Sequence, residues 1–293
     1  MRAVLKKIAN RFGLLPAIWA FRRIKNRAST KLFSALGLSP LLNTLRMRAE
    51  VRQITHKNKQ FIRAYPDFVL PPQELAFDAY AHVDWNRYVL DGQDDAALIA
   101  KLALKYTSAL QLRILDWGCG PARVLRNLPK FLDSRSISLY GSDYNPKTIQ
   151  WCQKHFKECH FAQNHLSPPL AFESNFFDVI YAISVLTHLS EESHFNWINE
   201  IKRVLKPKGI FILTTHGDYF KSFLSKSERS RYQKNQLVVR NDEREGKRDF
   251  ATFHPPQFLK DTLFIGFDVE EHIPGPVPIS SHLTQDLWVI RKK

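Results

Sequence analysis

Residues 112–126 read Leu-Arg-Ile-Leu-Asp-Trp-Gly-Cys-Gly-Pro-Ala-Arg-Val-Leu-Arg. Leu112, Ile114 and Leu115 form a short apolar run that ends in Asp116, the pattern of a buried strand. Gly118 and Gly120 follow, and Val124, Leu125 and Leu128 then take helical spacing. Strand, glycine turn and helix in this order predict a loop whose backbone N–H groups face a ligand at a helix N-terminus. Glycine suits such a loop because a Cβ would obstruct close approach or the positive φ of the turn. A lone G-x-G is weak evidence, but an acid directly ahead of it and a second acid ending the next strand make it specific. Ser138, Leu139 and Tyr140 read as that next strand, and Asp143 closes it 27 residues after Asp116. At the tip of the second strand of a doubly wound sheet, an acid reaches the two hydroxyls of a bound ribose.

A dinucleotide fingerprint counted from Gly118 would need glycine at position 123, where the chain has Arg123. Pyrophosphate also favours a bare helix dipole and disfavours a carboxylate at the strand tip. The pattern instead resembles the first motif of the class I S-adenosylmethionine-dependent methyltransferases, with Leu115, Asp116, Gly118 and Gly120 in place and Ala122 where a third glycine is usual. Alanine there still permits close helix–strand packing. The positive charges of S-adenosylmethionine are compatible with Asp116.

The resemblance implies an α/β fold, a doubly wound, mostly parallel seven-stranded sheet, here with a basic helical N-terminal extension. It implies S-adenosyl-L-methionine as cofactor, held by Asp116, Gly118, Cys119, Gly120 and Asp143. Tyr144 would lie against the adenine, and Gln163 and Asn164, at the exit of the strand from Phe161, would meet its edge. Phe177-Asp-Val-Ile-Tyr-Ala-Ile-Ser184 resembles the family's fourth strand, whose end faces the transferring methyl; this places Ser184, Val185, Thr187 and His188 near the reaction centre. Ser190 is a good N-cap for the following helix. Leu205-Lys-Pro-Lys-Gly209 resembles the family's turn into a fifth strand, Ile210 to Thr215, which opens onto His216. Phe264 to Glu270 and Gln285 to Ile290 match the last two, antiparallel strands. Ser184-Val-Leu-Thr-His-Leu-Ser together with Thr214-Thr-His-Gly looks like a glycan-associated subgroup.

The net charge of +15 is uneven. Residues 1–60 hold 14 Lys/Arg and one acid, Glu50, whereas the rest holds 29 Lys/Arg and 27 acids. The body is near neutral, so the overall pI is no argument for nucleic acid. Three divisions follow: a basic helical extension, 1–60; a lead-in covering the cofactor site, 61–111; and the methyltransferase domain, 112–293, with 218–256 as acceptor lid. Within the lead-in, Asp94 or Asp95 is expected to N-cap a helix, and Tyr80 and His82 are either site residues or ordinary packing groups. Phe12 to Phe21 is apolar, carries Trp19 and is flanked by cations; at ten residues it is too short to span a membrane. It suits an anionic membrane surface contacted through residues 1–30, packing on the domain, or a targeting segment. Cys119, Cys152 and Cys159 form no C-x-x-C arrangement and read as reduced thiols, and no metal is expected.

Methyl transfer from a sulfonium is an in-line displacement in which the protein chiefly aligns the reactants and excludes water. A hydroxyl acceptor also needs a base near neutral pH, for which His188 and His216 are the candidates, His188 first. In the family that the chain resembles, amino-group acceptors go with an Asn-Pro-Pro-Tyr type of motif after the fourth strand. Ser184-Val-Leu-Thr stands there instead, and the resemblance thereby implies a hydroxyl or carboxyl oxygen of a small molecule or of a glycan- or lipid-linked sugar. Location in the cytoplasm, peripheral to the inner membrane face, goes with that reading. RNA or protein methylation and a non-catalytic cofactor-binding scaffold are the alternatives.

Overall fold

The structure is a computed structural model that describes residues 38–132, 136–240, 244–247, 249–277 and 283–293. The apolar stretch 12–21 and the whole of 1–30 lie outside the described residues. The chain divides into two compact units, Met1–Arg46 and Met47–Lys293. Helix α1 (Ser39–Ala64) begins in the first, and everything below concerns the second. Among the described residues, no helix is long and apolar enough to cross a membrane.

The strands in chain order are β1 Gln111–Trp117, β2 Ser136–Asp143, β3 Cys159–Gln163, β4 Phe177–Ala182, β5 Leu205–Thr215, β6 Val238–Arg240, β7 Ala251–Phe253, β8 Phe267–Ile273 and β9 Asp286–Lys292. Seven form one sheet in the order β3-β2-β1-β4-β5-β9-β8, and β6 and β7 pair separately. β1 to β5 are mutually parallel, while β9 is antiparallel to both β5 and β8. This is the expected seven-stranded Rossmann-like sheet. Its strand order reverses at β1 and β4, and the crevice beyond the carboxyl ends at such a reversal is where ligands bind.

Strand alternation builds the two cores. Ile114, Val179, Tyr181 and Ile212 face one layer with Leu98, Ile99 and Leu102 of helix α3 (Trp85–Tyr106). Their neighbours Leu115, Ile180, Phe211 and Leu213 face the other, with Trp197, Ile198 and Ile201 of helix α5 (Glu191–Val204). The lead-in is anchored by a third cluster, in which Phe61 of α1 meets Phe77 of helix α2 (Gln73–Tyr80), Val83, Trp85 and Tyr88. Asn58 ties the same parts together, donating to the Val83 carbonyl at 2.7 Å and accepting from the Trp85 N–H at 3.1 Å.

Four local expectations are corrected. Helix α3 starts at Trp85, capped by Asp84, which accepts from the Arg87 N–H at 3.2 Å; Asp94 and Asp95 lie inside it. Asp95 can be buried mid-helix because Arg123 neutralises it at 2.8 Å. The segment after the glycine turn is no α-helix but a 3₁₀ turn, Leu125–Lys130, containing Pro129. Proline has no N–H and clashes with the carbonyl four residues back, so the tighter turn is what the backbone can make there. β5 already starts at Leu205: Phe177 pairs with Leu205 and Val179 with Ile210, so residues 206–209 bulge out, and Lys208 takes φ +64°. Finally, β8 starts at Phe267, because Phe264 closes a π-turn (Leu259–Leu263) and Gly266 turns the chain at φ +90°.

Candidate active site

A cleft of about 320 Å³ opens at the carboxyl ends of β1, β2 and β4 and is roofed by α2. That is at the small end of the range for small-molecule sites. Its floor is the glycine turn. Gly118 has φ +78°, and a Cβ on it would stand 2.5 Å from Val185 Cγ2. Gly120 has φ +49°, with Ala79 and the Tyr80 hydroxyl 3.1 Å from where a Cβ would be. Ala122 also takes a positive φ, +53°, so the usual glycine at this place serves backbone conformation as well as packing.

The turn does not offer its N–H groups to a ligand as the sequence pattern suggested. Gly118 and Cys119 both donate to the Ser142 carbonyl, at 2.8 and 2.9 Å, and Gly120 donates to Asp143 Oδ2 at 3.0 Å. The loop is thereby fastened to the end of β2. Ligand recognition in the cleft falls to side chains. Cys119 lies at the cleft wall, but its thiol points toward Gly141 in the core, and burial raises its pKa.

Asp116 is 4% exposed, and burial pushes its pKa up to about 7, with Tyr181 and then Arg123 opposing and Asp143 and Asp95 adding. A buried carboxylate raised in this way favours a cationic ligand group beside it. Asp143 accepts from Gly120 N–H and, through Oδ1, from Asn145 N–H at 2.8 Å. Each oxygen keeps a second lone pair for a ligand hydroxyl. Asn145 caps helix α4 (Pro146–His155), with Pro146 in its first turn. Tyr144 borders the cleft, and its hydroxyl donates to the Gly246 carbonyl at 3.2 Å. Asn164 is buried at the β3 exit and lines the cleft; its Nδ2 donates to the His165 carbonyl, and its Oδ1 is buried without a partner among the described residues. Gln163, one residue earlier on a strand, is exposed and outside the lining.

On the opposite side Ser184 takes φ +64° and lines the cleft. Its N–H donates to Thr214 Oγ1 at 2.8 Å, and its hydroxyl accepts from Gln285 Nε2 at 2.7 Å. Thr187 is buried and donates to the Ser184 carbonyl at 2.6 Å. His188 follows in a 3₁₀ turn and lines the cleft. Its Nδ1 stands 2.8 Å from the Phe250 carbonyl. A carbonyl only accepts, so Nδ1 carries the proton and Nε2 is the basic nitrogen of the neutral ring. His216 is not in the lining; it packs against Phe220 and Phe253 at centroid distances of 4.3 and 5.4 Å, with Nδ1 3.1 Å from the Thr252 carbonyl.

The lead-in contributes residues that motif reading did not assign. Tyr80 is buried, its hydroxyl has no partner, and it faces the glycine turn. The Arg123 guanidinium lies 4.5 Å above the Tyr80 ring, with Nη2 2.8 Å from Asp95 and Nη1 3.6 Å from Asp91. His82 beside them is held down to about 4, by burial first and by Arg87 and Arg123 next. The signal for Arg123 was present in the sequence, as the residue that breaks the dinucleotide fingerprint.

A cleft at the switch point of such a sheet, with acids at the tips of β1 and β2, is the ligand-binding arrangement of a Rossmann-like fold. Residues 115–213 match the family described as "Methyltransferase domain". Over those residues the chain carries a methyltransferase domain. It is 30% identical over 113 residues to the sterol 24-C-methyltransferase of Clavispora lusitaniae, 38% of this chain and 29% of that one. It is 27% identical over 173 residues to the tRNA N(3)-cytidine methyltransferase of Bos taurus, 56% of this chain and 43% of that one. Among solved structures it is similar to an S-adenosylmethionine-dependent methyltransferase from Methanosarcina mazei, at 19% identity and a TM-score of 0.49, covering 65% of this chain and 96% of that one. The match spans under a third of the length of the sterol enzyme and under half of the tRNA enzyme.

Proposed function

We propose that the protein transfers a methyl group from S-adenosylmethionine to a hydroxyl or carboxyl oxygen of a small molecule, with a glycan- or lipid-linked sugar as the favoured acceptor. The cofactor supplies an activated methyl on sulfur. The cleft fits it: Asn164 Oδ1 and the Tyr80 hydroxyl are buried without partners, and Asp116 lacks a paired cation of its own. In this reading Asp143 holds the ribose hydroxyls, Tyr144 and Asn164 hold the adenine, Asp116 faces the ammonium, and Arg123 with Tyr80 meets the carboxylate. Arg123 stays fixed while doing so, because Asp95 already sets its plane. Exclusion of water and alignment are worth up to about 7–11 kcal/mol in such transfers.

The observation that carries the oxygen acceptor is the orientation of His188. The Phe250 carbonyl fixes Nδ1–H, so Nε2 can take the proton of an acceptor hydroxyl in the cleft. His188→Ala should lower kcat by about 10²–10³-fold with donor affinity unchanged, the size expected for a lost general base. Unchanged turnover with donor still bound would remove His188 from the chemistry and leave a carboxyl acceptor, which needs no base.

A second reading is favoured by the apolar wall, Leu166, Ile183, Val185 and Leu189, and by the likeness to sterol methyltransferases: a carbon acceptor in a lipid-like molecule. Labelled donor incubated with cell extract distinguishes the two. Label on a sugar oxygen or released by alkali supports oxygen; alkali-stable label on carbon supports the second reading.

A further inference from the structure

Helix α1 turns two unlike faces outward and inward over its Met47–Ala64 part. Inward, Val51, Ile54 and Phe61 join the lead-in cluster, and Glu50, the one acid of the helix, accepts from the Val83 N–H at 3.1 Å. Outward stand Arg48, Arg52, Lys59 and Arg63, all exposed, with His56 and Lys57 beside them. Intervals of four, seven and four residues keep the four cations on one stripe, which runs about 22 Å along the helix. None of the four forms an ion pair with another described residue. Ordinary solvated helix faces mix both signs, as Lys226–Gln233 does with Glu228 among its cations.

We propose that this stripe docks the catalytic unit on an anionic phospholipid surface. Val51, Ile54 and Phe61 of α1 are spent on the lead-in, and the face that carries the four cations meets headgroup phosphates. A polybasic face of this kind holds stably when a second, apolar signal lies nearby. The sequence also contains an apolar element, whose placement lies outside the described residues: residues 1–37 hold nine Lys/Arg, no acid, and the stretch Phe12 to Phe21 with Trp19. A nucleic acid would use the cations but would have no use for that stretch. The inference does not rest on the methyl-transfer reading.

The test is flotation of the full chain with phosphatidylcholine vesicles and with vesicles containing one-third phosphatidylglycerol. Binding is expected only to the second, and it should weaken steeply with salt, since exposed charges are screened within a Debye length. Replacing Arg48, Arg52, Lys59 and Arg63 together by Gln should lower vesicle partitioning by roughly 600-fold, at roughly fivefold per cation. Thermal melting should not move, because all four side chains are solvated. Lys226→Gln with Arg229→Gln, equally exposed cations elsewhere, should leave partitioning unchanged. Failure of the parent chain to float with anionic vesicles overturns the proposal, as does equal flotation of the fourfold variant. RNA that binds the parent more tightly than the vesicles do, and loses the fourfold variant, would also overturn it in favour of a nucleic-acid partner.

Discussion

The two walls of the cleft are built by different means. The donor wall is local: Gly118, Cys119 and Gly120 are pinned to Ser142 and Asp143 at the tip of the adjacent strand, and Asn164 N–H returns to the Asp143 carbonyl. The acceptor wall is assembled across long stretches of chain. His188 is oriented by Phe250, 62 residues away; Ser190 N–H is capped by Glu245, 55 away; Thr252 Oγ1 reaches the Leu189 carbonyl, 63 away. One wall therefore rests on contacts at the strand tips alone, and the other depends on the contacts of Glu245, Phe250 and Thr252. Perturbations aimed at each should separate.

The largest effect is expected at the donor wall. Asp116→Asn keeps the shape of a fully buried side chain and removes its charge. Donor affinity should fall by about 10²–10³-fold, the loss when one partner of a buried charge pair is removed. Calorimetry reads it, and melting should change little. The same carboxylate sets a pH profile. With its pKa near 7, the free site is increasingly protonated below neutrality, so donor affinity should fall toward tenfold per pH unit as pH drops below about 7. A profile flat from pH 7.5 to 5.5 would show that Asp116 does not face the donor's cation.

Next in size is an acid sensitivity confined to the acceptor wall. His194 of α5 and His254, just after β7, meet Nε2 to Nε2 at 2.8 Å, and both are buried. His194 donates Nδ1–H to the Ser190 carbonyl, so its Nε2 accepts and His254 Nε2–H donates. The pair accommodates one proton between the two nitrogens and no net charge. Burial holds His194 at about 4, and burial with His194 and His216 nearby drives His254 well below the ordinary imidazole value. The unfolded chain takes up these protons near pH 6.5, before the folded one does. Stability is thus complete above about 6.5 and is lost as pH falls toward 4, by about 2 kcal/mol for His194 alone at pH 5. Hydrogen exchange should show residues 249–254 opening on acidification while β1 stays protected. His194→Gln should flatten the dependence; an unchanged slope in that variant would exclude the pair as its source.

The same division explains what could be read from sequence. Asp116, Gly118, Gly120, Asp143 and Asn164 fall on or beside buried parallel strands, whose apolar runs are unambiguous and whose ends meet in space by topology alone. Gln163 and Asn164 could not be told apart that way, because strand alternation sends one outward and the register decides which. His188 and His216 each end a core segment, yet only His188 reaches the cleft, since His216 is drawn under Phe220 and Phe253 by a hairpin whose pairing no local pattern announces. Arg123 was hidden, and Tyr80 left undecided between site and packing, for a third reason. Their placement depends on α3 starting at Trp85, which brings Asp91 and Asp95 inside a helix where the arginine must neutralise them.

The smallest effect expected is at Ala122, and it measures what the missing third glycine costs. At φ +53° an alanine is strained by on the order of 1 kcal/mol, and glycine would relieve it. Ala122 is also 1% exposed, packed in the core beside α3, and removing its methyl forfeits roughly 0.8 kcal/mol of burial. The two terms oppose and nearly match. Ala122→Gly should therefore shift unfolding free energy by less than about 0.5 kcal/mol, with donor affinity unchanged, because the turn is held by Ser142 and Asp143 whichever residue stands there. A gain above 1 kcal/mol would mean the strain is real and unrelieved in the native chain. A loss of that size would mean the methyl is a packing element of the donor wall, and the wall would then depend on α3 more than its hydrogen bonds indicate.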